Sequence, residues 1–152
     1  MQRFVYGIQS HYPHMAPADV HLWEKFIRAQ PGAFEFCTYD VPVGEAPAWM
    51  DVENDPEAAK QAILYKKKID VVAEINGTTY IIEVKPFAGS KALGQLMSYE
   101  LLYKDQHPET ERIVKTIITN QCQNGYAEIF MRHGIHPIEV GVCPRCKHYP
   151  SL

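Results

Sequence analysis

The chain has little of several features that would announce a function at once. Its 152 residues carry 15 Lys and Arg against 18 Asp and Glu, so it lacks the basic excess that attracts a polyanion over long distances. It has no apolar run of about 20 residues that could span a bilayer and no secretory leader. Internal repeats and low-complexity segments are also missing. We therefore expect a cytoplasmic protein, and any contact that it makes with a polyanion should be local or metal-mediated.

The few cysteines are not expected to form a disulfide framework, because the expected compartment is the cytoplasm. The four are Cys37, Cys122, Cys143 and Cys146. The spacing of Cys143 and Cys146, with His148 two residues later, suits one half of a tetrahedral Zn²⁺ site. The other half would have to come from Cys37, Cys122, His133 or His136. Because no second CxxC pair is present, the sequence favours free thiols over a structural zinc ion.

What is present is an ordinary globular composition, with 46% hydrophobic and 22% charged residues. This length suits a single domain, residues 1–152, with a sizeable core. Hydrophobic periodicity and turn signals predict an α/β (α+β) fold of order α-β-β-β-α-β-α-β, with helices on both faces of a mixed sheet. The predicted helices are 17–30, 90–106 and 124–133, with a short one at 57–65. The predicted strands are 33–43, 67–74, 79–86, 112–119 and 136–142.

A hairpin in the middle of the chain brings charged residues together. Asn76-Gly77 separates two strand patterns and is typical of a two-residue type I′ turn, which requires positive φ at both residues. Counting outward from such a turn places Asp70 opposite Glu83. Directly opposed residues share a face, with Cβ atoms about 4.5–5.5 Å apart. Lys85 lies two residues beyond Glu83 and therefore belongs to the same face.

The same register collects apolar side chains on the opposite face of the hairpin. They are Ile69, Val71 and Ala73 on one strand and Tyr80, Ile82 and Val84 on the other. A one-residue slip would turn one strand over and place charge in the core. The pattern therefore supports the register that the turn predicts.

Two opposed carboxylates repel each other unless positive charge lies between them. Oxygen ligands of this kind suit Mg²⁺ or Mn²⁺. The alternative is a solvated strand face on which Asp70 and Glu83 pair with Lys68 and Lys85.

The next helix carries a second polar group of interest. Gln95 and Tyr99 are four residues apart and share one helical face. They could be a satisfied core amide and hydroxyl, or they could reach a phosphate or the lysine. Gly94 beside them would permit a close approach to a neighbouring element.

Taken together, Asp70, the Glu83-Val84-Lys85 triplet and the Gln95-xxx-Tyr99 motif resemble the PD-(D/E)xK nuclease superfamily. The Gln/Tyr motif is similar to that of its QxxxY branch, which includes RecB-type and phage λ-exonuclease-type nucleases. The resemblance spans roughly residues 18–120 and implies a restriction-endonuclease-like α-β-β-β-α-β core. Ile69 replaces the proline that often precedes the aspartate, and Pro86 follows the triplet.

The resemblance implies a metal site and its ligands. Asp70 and Glu83 would bind a catalytic Mg²⁺ or Mn²⁺, with the Val84 carbonyl as a further ligand. Such families often add an acid or a histidine from the first helix. Glu24 is the first choice here and His21 the second, although Glu24 could equally be a surface residue.

The resemblance also implies roles for the other polar residues. Lys85 would orient or activate the attacking water, or stabilise charge in the transition state. Gln95 and Tyr99 would position Lys85 or a DNA phosphate. A local basic patch would contact DNA, formed by Lys85 together with Lys66, Lys67, Lys68 and Lys91.

The expected function is therefore a metal-dependent deoxyribonuclease in DNA processing, repair or recombination of the phage or bacterial type. One alternative is a catalytically inactive nuclease-fold module that binds or inhibits a protein partner. Another is the endonuclease subunit of a transposition or repair complex. The expected partner is DNA, with a protein partner or a second copy of the chain as a further possibility and no membrane. If a phage encodes the chain, the expected compartment is the host cytoplasm. Exonuclease and endonuclease action remain open at this point.

Overall fold

A computed structural model describes residues 1–141 of the chain, which contain four helices and eight strands. The helices are α1 (Pro17–Ala29), α2 (Pro56–Tyr65), α3 (Ser90–Gln106) and α4 (Tyr126–Arg132). The strands are β1 (Arg3–Val5), β2 (Phe36–Val43), β3 (Lys67–Ile75), β4 (Thr78–Val84), β5 (Phe87–Ala88), β6 (Ile113–Thr119), β7 (Gln121–Cys122) and β8 (Ile135–Glu139).

Six of these strands form one mixed sheet in the order β1-β2-β3-β4-β6-β8. Strands β1 to β4 pair antiparallel, whereas β4, β6 and β8 pair parallel. Strands β5 and β7 form a separate two-stranded parallel sheet just beyond the ends of β4 and β6. The predicted mixed sheet is confirmed.

Each face of the large sheet carries an apolar cluster. The first cluster packs Trp23 and Phe26 of α1 against the sheet. The second packs Leu96 of α3 and Phe130 of α4 against the other face. Helices therefore cover both faces, as predicted, and the central strands are apolar on both sides.

The major predicted elements are confirmed to within a few residues. The α3 bounds match the prediction, and the short helix α2 is present. Three strands were not predicted, namely β1, β5 and β7. They contain two or three residues each, which is too short for a period-2 pattern to emerge from the sequence.

The predicted hairpin register is confirmed. Asn76 and Gly77 have φ values of 49° and 73°, as a type I′ turn requires. The pairing runs from Ile75 opposite Thr78 to Val71 opposite Ile82. Continued by one step, this register brings Asp70 to Glu83.

One residue of the predicted apolar face was assigned wrongly. Val71 lies in the first cluster, but Ile69 lies in the second, on the other side of the sheet. Tyr39 and Val41 on the neighbouring strand β2 are divided in the same way, and between them Asp40 has a φ of 53°. The left-handed residue interrupts the alternation of side chains on β2, and the paired strand β3 changes face at the same level. Side chains on β3 therefore do not alternate strictly between the two faces at Asp70.

The expected role of Gly94 was also wrong. A Cβ atom at this position would meet nothing within 4 Å, and Gly94 is exposed on α3. It therefore does not mediate a close approach.

Two further expectations concern cysteines and membranes. Cys37 and Cys122 are buried free thiols in different clusters, on opposite faces of the sheet, so they cannot share one metal ion. Cys143, Cys146 and His148 lie outside the described residues. Within residues 1–141, no helix combines the length and apolar character needed to cross a bilayer.

Candidate functional site

The carboxylates of Asp70 and Glu83 lie where β3 and β4 stop pairing. The regular pairing ends at Val71 and Ile82. One step further, the Val84 N–H donates a hydrogen bond of 2.8 Å to Oδ2 of Asp70. A side chain thus accepts a backbone hydrogen bond at the point where the regular pairing of the two strands ends.

Lys85 completes the cluster that the sequence predicted. Its Nζ lies 3.7 Å from Oε1 of Glu83. The Lys85 main-chain N–H donates to the Ile118 carbonyl on β6, at 2.9 Å, which fixes the backbone beside the acids. The lysine side chain is 34% exposed, whereas that of Glu83 is 1% exposed. The cluster therefore has a buried acidic end and a cationic end that reaches solvent.

At the buried end of the cluster, the Glu83 carboxylate lacks one interaction partner in residues 1–141. Oε2 of Glu83 is buried and has no hydrogen-bond partner within the described residues. A buried carboxylate oxygen without a partner is costly in free energy. A cation or a proton at this position would remove the cost.

The pKa values of both acids reflect this environment. Burial, and then the charge of Asp70, raise the pKa of Glu83 from 4.5 to about 8, and Lys85 opposes the shift. Burial raises the pKa of Asp70 from 3.8 to about 6, opposed by the Val84 N–H. At neutral pH the pair therefore holds a proton when no other cation is present.

Asp19 is a third acid near this pair, and the sequence reasoning gave it no functional role. It lies in the first turn of α1, and its charge raises the pKa of both Asp70 and Glu83. Burial raises the pKa of Asp19 itself, and Lys85 lowers it. The sequence shows Asp19 only as an acid in the first turn of a helix. The packing of α1 against the sheet is what brings it near Asp70 and Glu83.

The two residues predicted from α1 have other surroundings. Glu24 pairs with Arg28 through Oε2 and Nη2 at 2.9 Å. With His21 and Tyr12, it lines a cavity of about 400 Å³ between α1 and residues 9–15. The acid of α1 whose charge reaches both Asp70 and Glu83 is therefore Asp19, one turn or more before Glu24.

Gln95 and Tyr99 form a bonded pair on α3. Nε2 of Gln95 donates to the Tyr99 hydroxyl at 3.0 Å, while Oε1 of Gln95 is buried without a partner in the described part of the chain. Burial raises the pKa of Tyr99 to about 12; the Gln95 hydrogen bond opposes this, and the charges of Glu83 and Asp70 add to it. The Gln/Tyr pair therefore lies within electrostatic reach of the carboxylates.

The lysines of the predicted basic patch differ in their surroundings. Lys67 and Lys91 are exposed. Lys68 forms an ion pair of 2.6 Å with Asp40, and Lys66 lines a separate cavity beside α2. Of the five lysines of the predicted patch, Lys67 and Lys91 are thus exposed and Lys85 is partly exposed.

The donor set at Asp70 and Glu83 fits a hard divalent cation with few protein ligands. Within residues 1–141, no group of three or more His, Cys, Asp and Glu side chains is arranged to hold a metal ion. Mg²⁺ commonly retains several waters and uses one or two carboxylates, and the unpartnered oxygen of Glu83 provides one such ligand.

Comparison with known proteins gives little further information. No family model matches the sequence, and no curated protein does. Among solved structures, "Crystal Structure of Protein of Unknown Function AF1548" matches with 20% sequence identity and a TM-score of 0.44. The alignment covers 78% of this chain and 55% of that chain, so the chain spans about half the length of that protein.

Proposed function

We propose that this chain is a Mg²⁺- or Mn²⁺-dependent deoxyribonuclease of the PD-(D/E)xK superfamily, QxxxY branch, that hydrolyses phosphodiester bonds in DNA. One observation carries the proposal. Beside Asp70, an oxygen of Glu83 is buried without a hydrogen-bond partner among residues 1–141, and Lys85 lies 3.7 Å from the other oxygen of the same group.

Asp70 and Glu83 would hold the cation, with the Val84 main chain beside them. When bound, the ion would supply Lewis-acid polarisation of a phosphate oxygen. Because the carboxylate pair retains a proton at neutral pH, occupancy of the site requires that proton to leave. Binding of the cation should therefore weaken as the pH falls below about 8, the raised pKa of Glu83.

Lys85 would act on the substrate side of the site. Its ammonium group is partly exposed while its backbone is fixed to β6. A positive charge in this position stabilises negative charge that develops on a phosphate during hydrolysis.

Gln95 and Tyr99 would act as positioning residues. Tyr99 is protonated at physiological pH, and its pKa, raised to about 12, keeps the hydroxyl protonated well into the alkaline range. Its bond with Gln95 orients the amide and leaves Oε1 of Gln95 available to accept a hydrogen bond. That acceptor would hold Lys85 or the attacking water.

The topology supports the same proposal. Antiparallel β2, β3 and β4 are followed by α3 and by β6, which is parallel to β4. This succession is compatible with the restriction-endonuclease-like core that the resemblance implies.

A cleavage assay tests the proposal. Linear, circular and single-stranded DNA are incubated with the protein in Mg²⁺, Mn²⁺ or EDTA. We expect cleavage with either cation and none in EDTA. Asp70→Asn and Lys85→Ala should each lower the rate at least about 100-fold, because they remove a cation ligand and a charge at the phosphate.

Lys104→Ala is the matched control, since it removes an exposed lysine near the end of α3 and should retain the parent rate. Thermal denaturation with Mn²⁺ separates binding from chemistry. Mn²⁺ should raise the Tm of the parent and of Lys85→Ala, but not that of Asp70→Asn. Cleavage that survives Asp70→Asn or Lys85→Ala would refute the proposal, as would an intact substrate under every condition.

A further inference from the structure

Helix α2 presents apolar side chains that nothing in the described chain covers. Of its ten residues, only Ala62 is buried, and Ala62 belongs to neither apolar cluster. The following three residues, Ile63, Leu64 and Tyr65, are all exposed, with Leu64 at 72%. A helix this short gains little stability from its own hydrogen bonds and usually depends on a packed apolar face. The exposed face of α2 is therefore unusual.

The preceding loop extends this face into a groove. Trp49 is 72% exposed, and its ring contacts that of Tyr65 edge to face at 5.4 Å. A cavity of about 510 Å³ lies between the loop and the helix. Apolar residues, among them Pro47, Met50, Val52, Ala59, Ala62 and Ile63, line about half of it, and Glu45, Glu53, Lys66 and Gln106 are its polar lining residues. We call residues 44–65 the α2 surface.

The α2 surface is strongly acidic. Residues 44–65 carry five acids, Glu45, Asp51, Glu53, Asp55 and Glu57, against one basic residue, Lys60, and Lys66 of the cavity wall lies just beyond their end. Lys60 already pairs with Glu57 at 3.5 Å, and Asp55 caps the helix. Glu45 and Glu53 line the cavity and form no ion pair with any described residue.

The negative charge of the α2 surface distinguishes between the molecules that could bind there. A DNA backbone would be repelled by an excess of four negative charges in 22 residues. A symmetric dimer through the same patch would set Glu45 and Glu53 against their own copies. A polypeptide with apolar and basic side chains would satisfy both the groove and the charges.

We propose that the α2 surface docks a basic amphipathic segment of a partner protein. Its apolar side chains would pack on Trp49 and Tyr65 and enter the cavity, and its Lys or Arg side chains would pair with Glu45 and Glu53. This is helix-in-groove recognition. The inference does not depend on the proposed nuclease activity, because it uses none of the residues at Asp70 and Glu83.

Trp49 provides a reporter for the test. The chain has two tryptophans, and Trp23 is fully buried while Trp49 is exposed. The probe is a helical peptide of about 14 residues that contains only Leu and Lys in amphipathic order. The comparison probes are the same peptide with Glu in place of Lys, and oligothymidylate. We expect a saturable blue shift of Trp49 emission with the Leu/Lys peptide alone, weaker at high salt.

Variants locate the binding. Glu45→Lys with Glu53→Lys should weaken Leu/Lys binding at least about 10-fold, because two pairing charges are reversed. Glu109→Lys with Glu111→Lys is the matched control, with the same charge change at an exposed loop. It should change affinity by less than about 2-fold.

Ile63→Ser with Leu64→Ser tests the apolar contact and should abolish the blue shift. If circular dichroism shows that this variant does not fold, the Glu45→Lys and Glu53→Lys variant still tests the inference, because both of its substitutions are at exposed positions.

Three results would overturn the inference. The first is equal weakening by the two charge-reversal pairs, which would mean non-specific attraction. The second is preferential binding of oligothymidylate, which would make the surface a nucleic-acid platform. The third is a concentration-dependent dimer in sedimentation that Ile63→Ser with Leu64→Ser abolishes, which would make the occupant a second copy.

Discussion

Position changes the chemistry of a single glutamate in this chain. On a solvated strand face, a glutamate ionises near pH 4.5, whereas Glu83 is almost fully buried beside Asp70 and its pKa is raised to about 8. The same burial leaves one of its oxygens without a hydrogen-bond partner in the part of the chain that the structure describes. The residue therefore retains a proton at neutral pH, and in the proposed function it would exchange that proton for a cation.

The pKa of Glu83 predicts how stability depends on pH without divalent cations. The unfolded chain loses this proton near pH 4.5, but the folded chain retains it to about pH 8. Since the folded state binds more protons in this window, the free energy of unfolding should fall as the pH rises from about 4.5 to 8. Glu83→Gln should remove most of this fall and be more stable than the parent at pH 8, by about 2 kcal/mol.

Urea denaturation in EDTA between pH 5 and pH 8 measures the difference. Glu111→Gln is the control, because it neutralises an exposed glutamate and should retain the pH dependence of the parent. Parallel curves for the parent and Glu83→Gln would contradict the assignment of the raised pKa.

At the scale of elements, the β3–β4 hairpin positions the site through two local conformations. The turn at Asn76-Gly77 sets the register, which brings Asp70 to Glu83. The left-handed Asp40 on β2 marks the point at which the alternation of β2 and β3 changes face. Asp70 lies at that change of face, so the break in the regular sheet and the site coincide.

Two glycines should respond oppositely to substitution by alanine. Gly77 has a φ of 73° in the turn, so Gly77→Ala should lower the free energy of unfolding by about 1–2 kcal/mol. Gly94 lies inside α3 with open space around a Cβ atom, so Gly94→Ala should raise it by about 0.5–1 kcal/mol. Urea denaturation of both variants tests the pair. A loss of stability in Gly94→Ala would show that this glycine has a packing role.

At the scale of the whole molecule, two apolar clusters share one sheet. Two consecutive residues of β4 belong to different clusters. Ile81 packs in the second cluster and Ile82 in the first, and both are fully buried. Neither face can open without exposing a strand that the other face also needs. The two clusters should therefore unfold together.

Alanine at either isoleucine tests this coupling. Ile81→Ala and Ile82→Ala should each lower the free energy of unfolding by about 3 kcal/mol, through lost burial and the cavity left behind. In both variants, Trp23 fluorescence, which reports on the first cluster, should follow the same transition as far-UV circular dichroism. Separate transitions in Ile81→Ala would mean that the two faces unfold independently.

The sequence by itself determined the elements and the central pair. Periodicity located the helices and the longer strands, and the Asn76-Gly77 turn placed Asp70 with Glu83, because hairpin register follows from turn length and a period of 2. Such signals lie within a few residues of one another, so they can be read without a fold. The roles of these residues as a nuclease site remain a prediction.

Tertiary structure alone decided what surrounds that pair. Asp19 lies some fifty residues before Asp70 and joins it only because α1 packs across the sheet. The exchange of Ile69 to the other face depends on a left-handed residue in a neighbouring strand. The raised pKa of Glu83 and the uncovered α2 surface both depend on which groups are buried. Burial and long-range contact arise from the whole packed chain, which no local spacing encodes.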